Sequence, residues 1–325
     1  MRLMHRLAAV LATAAVLTTS CGGRTVRTTI SDPTTVDISQ LWIEPHDIET
    51  RDLFAGPDAG IAAPDAATQF TFVRADQSGY SPGYDVKDAN GLEWSVKLGP
   101  EAQPEVVSSR ILWAIGFHQV PTYYLATWTL VGGPGGNPGP ARFRPESPGQ
   151  KVVGEWSWYE NQFVGTGPFK GLVVANLLLN NWDWKTSNNK IYDVTGSDGV
   201  TRRYVVRDLG ASLGKTAFPT ALKWLPVRGF GQGSRNDLEG FESQRFILGV
   251  EGTRVLFDYQ GIHEKLVDTI TPRDVVWASE LLARLSDEQL HDAFRAGGYG
   301  QEQATRYVAK IRSKIAEGLA LKTAS

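Results

Sequence analysis

Asp183, Lys185 and Asn188 stand in the order Asp-x-Lys-x-x-Asn, and Asp208 and Gly210 follow as Asp-x-Gly. Between them, Lys190-Ile191-Tyr192-Asp193-Val194 and Arg203-Tyr204-Val205-Val206 read as two strands around Thr195-Gly196-Ser197-Asp198-Gly199, which is a hairpin. A hairpin returns its ends to neighbouring positions, about 5 Å apart across the ladder. Asn188 and Asp208 are therefore expected side by side. An amide oxygen and a carboxylate meeting there make a hard-oxygen site for Mg2+ or Mn2+ that also takes phosphate oxygens. The tandem Asn188-Asn189 leaves open which amide is the ligand. Asp183, on a loop leaving a helix, can face the same cleft and accept the proton of an attacking hydroxyl. Lys185 would neutralise the group in transfer, and Gly210 would let the chain turn sharply after the metal ligand. Together these residue types suit phosphoryl transfer from a nucleotide.

Other elements must position that set. Phe70 to Val73, Tyr84 to Asp88 and the alternating Leu92 to Leu98 read as three strands, with Asp88-Ala89-Asn90-Gly91 as turn chemistry between the last two. Gly79 and Gly83 flank the first turn, where backbone amides could cover phosphates. Lys97 ends the third strand. Glu105 starts a helix expected from about Gln103 to Gly116, with Val107, Ile111, Ala114 and Ile115 as its apolar face. A strand lysine held by a helix glutamate is a phosphate-anchoring pair, and Glu101 is a second candidate for the partner. Thr122 to Val131 reads as one strand, and the Gly- and Pro-rich Gly132 to Gly149 as a loop. Phe169 to Asn180 is an apolar helix that delivers the chain to Asp183. Thr271-Pro272 and Ser286-Asp287-Glu288-Gln289 open two further helices, and Glu302 to about Ala320 forms a last one.

At these residues the chain resembles the protein-kinase-like superfamily. It looks most like the HipA-like and phosphoinositide-kinase-like proteins and the secretory-pathway kinases. The resemblance covers roughly residues 68 to 320. It implies an α+β, two-lobed fold, with a β-rich N-lobe over residues 68–160 and a mainly helical C-lobe over 161–325. It implies ATP in the cleft and Asp183 as catalytic base. Lys185 would sit at the phosphoryl group, Asn188 and Asp208 would be metal ligands, and Lys97 with Glu105 would anchor phosphate. Asn181-Trp182 stands where ordinary kinases have His-Arg, and Leu209 stands for Phe. Neither Gly-x-Gly-x-x-Gly nor Ala-Pro-Glu occurs. These departures weigh against activation-loop regulation and a peptide substrate.

The first residues read as an address. Arg2 and Arg6 precede an apolar run, Leu7 to Leu17, too short to span as a helix. Cys21, the single cysteine of the chain, follows directly. This resembles a bacterial lipoprotein cleavage site, so residues 1–20 are expected to be a signal peptide and Cys21 a lipidated membrane anchor. An ordinary secretory signal is the alternative. Residues 21–67, rich in Thr, Asp, Pro and Ala, read as a tether with one ordered piece around Leu41 to Ile48. An exported protein meets little ATP. A kinase-fold lipoprotein that binds a ligand or protein partner at the cell envelope without transferring phosphate therefore stays open.

With 42% hydrophobic and 21% charged residues the chain is an ordinary globular one, neither disordered nor multispanning. The net charge of −2 and the absence of a Lys/Arg run exclude nucleic acid as the expected partner. His118, His263 and His291 lack metal spacing. Trp156, Trp158, Trp182 and Trp184 suit either core packing or an aromatic cleft wall. The acceptor hydroxyl is not legible.

Overall fold

Alternation of apolar and charged residues builds the first half of the molecule. The computed structural model describes residues 36–58, 60–76, 81–216 and 233–323. Six strands, β1 (Gln69–Asp76), β2 (Gly83–Lys87), β3 (Glu93–Leu98), β4 (Tyr123–Leu125), β5 (Thr129–Val131) and β6 (Ala141–Pro145), form one sheet in the order β4-β6-β3-β2-β1-β5. All neighbours are antiparallel except β1 and β5. Successive strand residues point to opposite faces. One face carries Phe70, Val86, Trp94, Val96 and Phe143, which close with Trp128 and Leu130 into a small apolar core. The other face is charged. In register, Ser95 lies between Asp85 and Arg144, and Lys97 between Gly83 and Arg142.

The second half is built on helices. They are α2 (Gly167–Leu178), α3 (Leu238–Ser243), α4 (Glu264–Val267), α5 (Pro272–Ala283), α6 (Asp287–Ala296) and α7 (Gln301–Leu319). It also holds a three-stranded sheet, β7 (Gln150–Glu155), β8 (Asn189–Gly196) and β9 (Gly199–Val206), and a hairpin of β10 (Ile247–Glu251) and β11 (Arg254–Phe257). Thr271 and Ser286 each close a capping box, as their neighbours Asp274 and Gln289 allow. Helix α1 (Ala102–Ala114) lies against β4 and β6 on one side and α6 on the other. Its expected apolar residues Val107, Ile111, Ala114 and Ile115 are buried, and so are Ser108, Ser109 and Arg110, because both halves cover it. The α+β, two-half arrangement is the expected one.

Within residues 21–67 the ordered piece expected around Leu41 to Ile48 is present and runs on to Leu53, all three of these residues being buried in the large core. The Gln289 amide donates to the Ile48 and Arg51 carbonyls there. Three apolar anchors with wide polar spacing carry no helical or strand period, which hides how far such a segment runs. Three expectations change. Thr122 to Val131 is two strands rather than one, broken where Trp128 turns into the sheet's core. The Gly132–Gly149 loop contains β6, which pairs with both β3 and β4. β7 pairs with β8, so the second half begins near residue 150 rather than 161. Cys21 and the signal segment lie outside the described residues, as does Gly79. Among the described residues no helix is long and apolar enough to cross a membrane.

Candidate active site

The Asp183 loop is set by how α2 ends. Asn180 takes a left-handed φ of 53°, which Asn tolerates better than most residues. Its side-chain nitrogen donates to the Gly214 carbonyl at 2.6 Å. Lys314, fully buried, donates to the Leu178 carbonyl at 2.9 Å and to Asn180 Oδ1 at 2.7 Å. An amine donor there satisfies a carbonyl the helix leaves open. Trp182 and Trp184 flank Asp183, and both are buried. The Trp182 indole donates to the Ser234 carbonyl at 3.0 Å, and the Trp184 indole to the Asn181 carbonyl at 2.8 Å. Trp184 stacks on Trp158 at 5.1 Å and on Tyr259 at 5.4 Å. The tryptophans are thus core packing that pins the loop, not a cleft wall. Lys185 Nζ sits 2.8 Å from Asp183 Oδ1. That oxygen is buried and accepts no well-aligned hydrogen bond from the described residues, so it has capacity for another donor.

Asn188 ties this loop to Asp208. Its side-chain nitrogen donates to the Asp183 carbonyl at 2.8 Å. Its own carbonyl accepts the N–H groups of Arg207 at 2.9 Å and Asp208 at 3.3 Å. The ladder runs from Asn189 opposite Val206 to Gly196 opposite Gly199, so the hairpin closes as its sequence requires. Asn189 is fully buried and donates to the Trp156 carbonyl at 3.1 Å. Of the tandem pair, Asn188 is the one at the site.

Lys97 brings the sheet to the same place. Its Nζ lies 2.7 Å from Asp208 Oδ1, 3.3 Å from Glu105 and 3.3 Å from Glu101. Both candidate glutamates are therefore its partners. Burial disfavours the charged lysine, yet the surrounding carboxylates, Glu105 foremost, outweigh that and raise its pKa. Burial likewise pushes the Asp208 carboxyl up, but the Lys97 charge and hydrogen bond prevail and hold it down at about 2. Glu105 is buried, and Arg142, Lys97 and Arg144 together keep it ionised.

Two of those arginines were not read from the sequence. Arg142 Nε lies 3.0 Å from Glu105, and Arg144 donates to the same carboxylate. They come from β6, where Ala141-Arg142-Phe143-Arg144-Pro145 alternates with period two inside a Gly- and Pro-rich stretch. That alternation was the available signal. Arg144 is pushed down to about 9 by burial first, and then by the nearby Arg142 and Arg207 charges. Arg235 pairs with Glu101 and lies 5.0 Å over Trp182.

The glycines act differently from expectation. Gly83 lies inside β2, paired with Asp76 and with Lys97, rather than in a turn. A Cβ there would come 2.5 Å from the Val96 carbonyl oxygen. Gly210 has no left-handed φ. It is needed because a Cβ would come 2.6 Å from the Glu101 Cβ, so it lets the Asp208 segment approach the start of α1.

Among the described residues no group of three or more His, Cys, Asp or Glu side chains could hold a metal ion. A site of one Asp and one Asn completed by phosphate oxygens and water is a different kind of donor set. A cavity of about 600 Å3 opens beside the cluster, between the charged face of the first sheet and the β7–β9 sheet. Asp85, Ser95, Arg144, Gln150, Tyr192 and Arg207 are among its walls.

No protein-family model matches the chain. No curated protein matches it. Among solved structures, the chain is similar to the crystal structure of a Helicobacter pylori proinflammatory kinase, CtkA. The TM-score is 0.45 and the identity 12%, over 78% of this chain and 96% of that one. A likeness of that degree carries no statement about chemistry.

Proposed function

We propose that this chain transfers the terminal phosphoryl group of ATP to a hydroxyl acceptor, using Mg2+ or Mn2+, at the cleft where Asp183, Asn188, Lys97 and Asp208 converge. One observation carries the reading. Lys97 of the first sheet and Asn188 of the second half meet at Asp208, by an ion pair of 2.7 Å and a main-chain hydrogen bond of 3.3 Å.

The residues fit a hard divalent cation. Asp208 is ionised and a third exposed (34% of its side chain), with one oxygen held by Lys97. The Asn188 nitrogen is committed to the Asp183 carbonyl, which leaves its oxygen as the metal-binding atom. Bound there, the cation would neutralise phosphate charge. Asp183, whose side chain is 16% exposed, accepts the proton of the acceptor hydroxyl on its carboxylate. Lys185, beside it, offsets negative charge on the group in transfer. Lys97, oriented by Glu105 and Glu101, offers its ammonium to the phosphate chain. The acceptor is a hydroxyl compound of unassigned class. Export and anchoring through Cys21 belong to the same proposal and rest on the sequence alone.

The test is phosphate transfer from γ-labelled ATP, with Mg2+ and with Mn2+, to a panel of sugars, lipids, proteins and water. Nucleotide binding is followed in parallel by thermal unfolding. A ligand at 100 times its Kd should stabilise by about 2.7 kcal/mol. Metal-dependent stabilisation together with transfer supports the reading. Stabilisation without transfer to any acceptor points to the non-catalytic binder. No stabilisation by any nucleotide with either metal removes the proposal.

A further inference from the structure

The cavity between the two sheets is lined by more charged side chains than apolar ones, with Ala75, Val120, Pro145 and Val152 as its apolar part. Pockets for flat, mostly apolar groups are lined mainly by apolar side chains with few polar ones. Here Arg144 and Arg207 stand on the inner wall, Arg74 and Lys151 nearer the mouth. Arg74 is bound by Asp85. The inner arginines are less well matched. Among the described residues, Lys97, Arg142, Arg144 and Arg207 gather around two carboxylates, Glu105 and Asp208. The third carboxylate at Lys97, Glu101, also serves Arg235. Arg142, Arg144 and Lys97 all share Glu105. Arg207 reaches a neutral group, the Tyr192 hydroxyl, at 3.3 Å. Arg144 also donates to the Arg207 main-chain carbonyl at 3.2 Å, and the Arg207 charge lies close enough to disfavour the Arg144 cation, after burial as the first cause. Asp76, Asp85 and Glu146 also line the cavity, so the place for an anion is local to the wall that carries Arg144 and Arg207. Arginine pairs present forks that match phosphate oxygens.

We propose that Arg144, Arg207 and the Tyr192 hydroxyl form a phosphate subsite inside this cavity, so that the ligand of the cleft turns a phosphate group, not its base, toward that wall. The inference rests on the phosphotransfer reading, to whose site the cavity is joined by Arg207, the chain neighbour of Asp208, and by Arg144, which shares Glu105 with Lys97, and it specifies which part of the ligand that wall takes. It is independent of metal, because the subsite is made of cationic and hydroxyl donors alone.

The experiment titrates the full chain with sodium tripolyphosphate in the absence of divalent metal, by calorimetry, and repeats the titration with adenosine and with Mg·ATP. Tripolyphosphate is expected to bind, and adenosine is expected not to displace it. Arg207→Gln should weaken tripolyphosphate binding about ten-fold or more, and Arg207→Lys should recover part of the loss. If Arg207→Gln no longer melts cooperatively, Tyr192→Phe replaces it, with an expected loss of a few-fold. Competition between tripolyphosphate and Mg·ATP assigns the subsite to the nucleotide's own phosphates. Simultaneous binding assigns it to a second phosphorylated ligand. Either outcome supports the subsite. Mg·ATP binding without any tripolyphosphate binding overturns the subsite and leaves the phosphotransfer reading standing. Tripolyphosphate binding that Arg207→Gln leaves unchanged also overturns it. Arg207-dependent tripolyphosphate binding in a protein that transfers no phosphate supports the subsite and removes the transferase reading.

Discussion

Lys97 Nζ lies 2.7 Å from Asp208 Oδ1, although the two residues are 111 positions apart in the chain. That contact joins the charged face of the first sheet to the end of the β8–β9 hairpin. It sets the ionisation of both groups and places the phosphate-anchoring cation beside the carboxylate that would hold metal.

Asp208 should make stability acid-sensitive. Its folded-state pKa of about 2 lies below the ordinary value near 3.9. The unfolded chain therefore takes up the proton first. The contribution is complete above about pH 4 and is lost as pH falls toward 2, and solvent screening of a partly exposed side chain limits it to about 1 kcal/mol. Urea unfolding from pH 5 to pH 2 should show this slope in the natural protein and a shallower one in Asp208→Asn. The same variant should lose metal-dependent nucleotide binding. Equal slopes in the two proteins would show that Asp208 is not held by Lys97.

Asp183→Asn should separate binding from turnover. The loop is fixed by Trp182, Trp184 and Asn188 rather than by the Asp183 carboxylate, so the fold and Mg·ATP affinity should persist. Turnover should drop by about 100- to 10,000-fold, the usual contribution of a positioned base. Initial rates against a thermal-shift binding curve measure both quantities, and an undiminished rate would remove Asp183 from its role.

Glu105→Gln should be costly to stability. The carboxylate is buried and shared by Lys97, Arg142 and Arg144, so neutralising it leaves cations together without their common partner. Removing one side of such a buried network costs about 3–5 kcal/mol. Denaturant titration should show the midpoint falling accordingly. A loss below about 1 kcal/mol would mean that Glu105 does not hold the cluster.

Gly210→Ala tests close approach rather than backbone freedom. A Cβ would stand 2.6 Å from the Glu101 Cβ and 3.0 Å from its carbonyl oxygen. The start of α1 must then move away from the Asp208 segment, at a cost of about 1–3 kcal/mol. Nucleotide affinity should weaken in parallel, since Glu101 and Glu105 both orient Lys97. Unchanged stability in this variant would refute the contact.

Lys314 predicts a slope of the same sign in the alkaline range. Burial lowers its pKa well below the usual range for lysine, with Lys310 adding to the shift. The unfolded chain then binds the extra proton, so stability rises with pH up to the ordinary lysine value near 10.4. Unfolding free energies at alkaline pH should show that rise, and Lys314→Met should abolish it. The variant should also loosen the Asn180 turn that leads into the Asp183 loop.

Much of the site was legible because it is local. The Asp183 to Asn188 spacing, the hairpin and Asp208 lie in one stretch of chain, and turn chemistry alone brings Asn188 to Asp208. The α1 helix and the Lys97 strand were legible from their periods of 3.6 and two. Both capping boxes were readable from Thr271 and Ser286. Gly210 shows the limit, since its type was readable but its reason, the packing of Glu101 against it, was not.

The amino-acid order by itself determined β1 to β3, β8, β9, the helices α1, α2 and α5 to α7, and the Asp-x-Lys-x-x-Asn to Asp-x-Gly constellation, because hydrogen-bond periodicity and turn preference act between near neighbours. Only the tertiary structure decided that residues 36–56 cover the helical core, that Trp182 and Trp184 anchor a loop, and that Arg142 and Arg144 crowd onto Glu105. Those outcomes depend on which distant surfaces meet. Burial, and the charge pairing that burial forces, are properties of the packed whole.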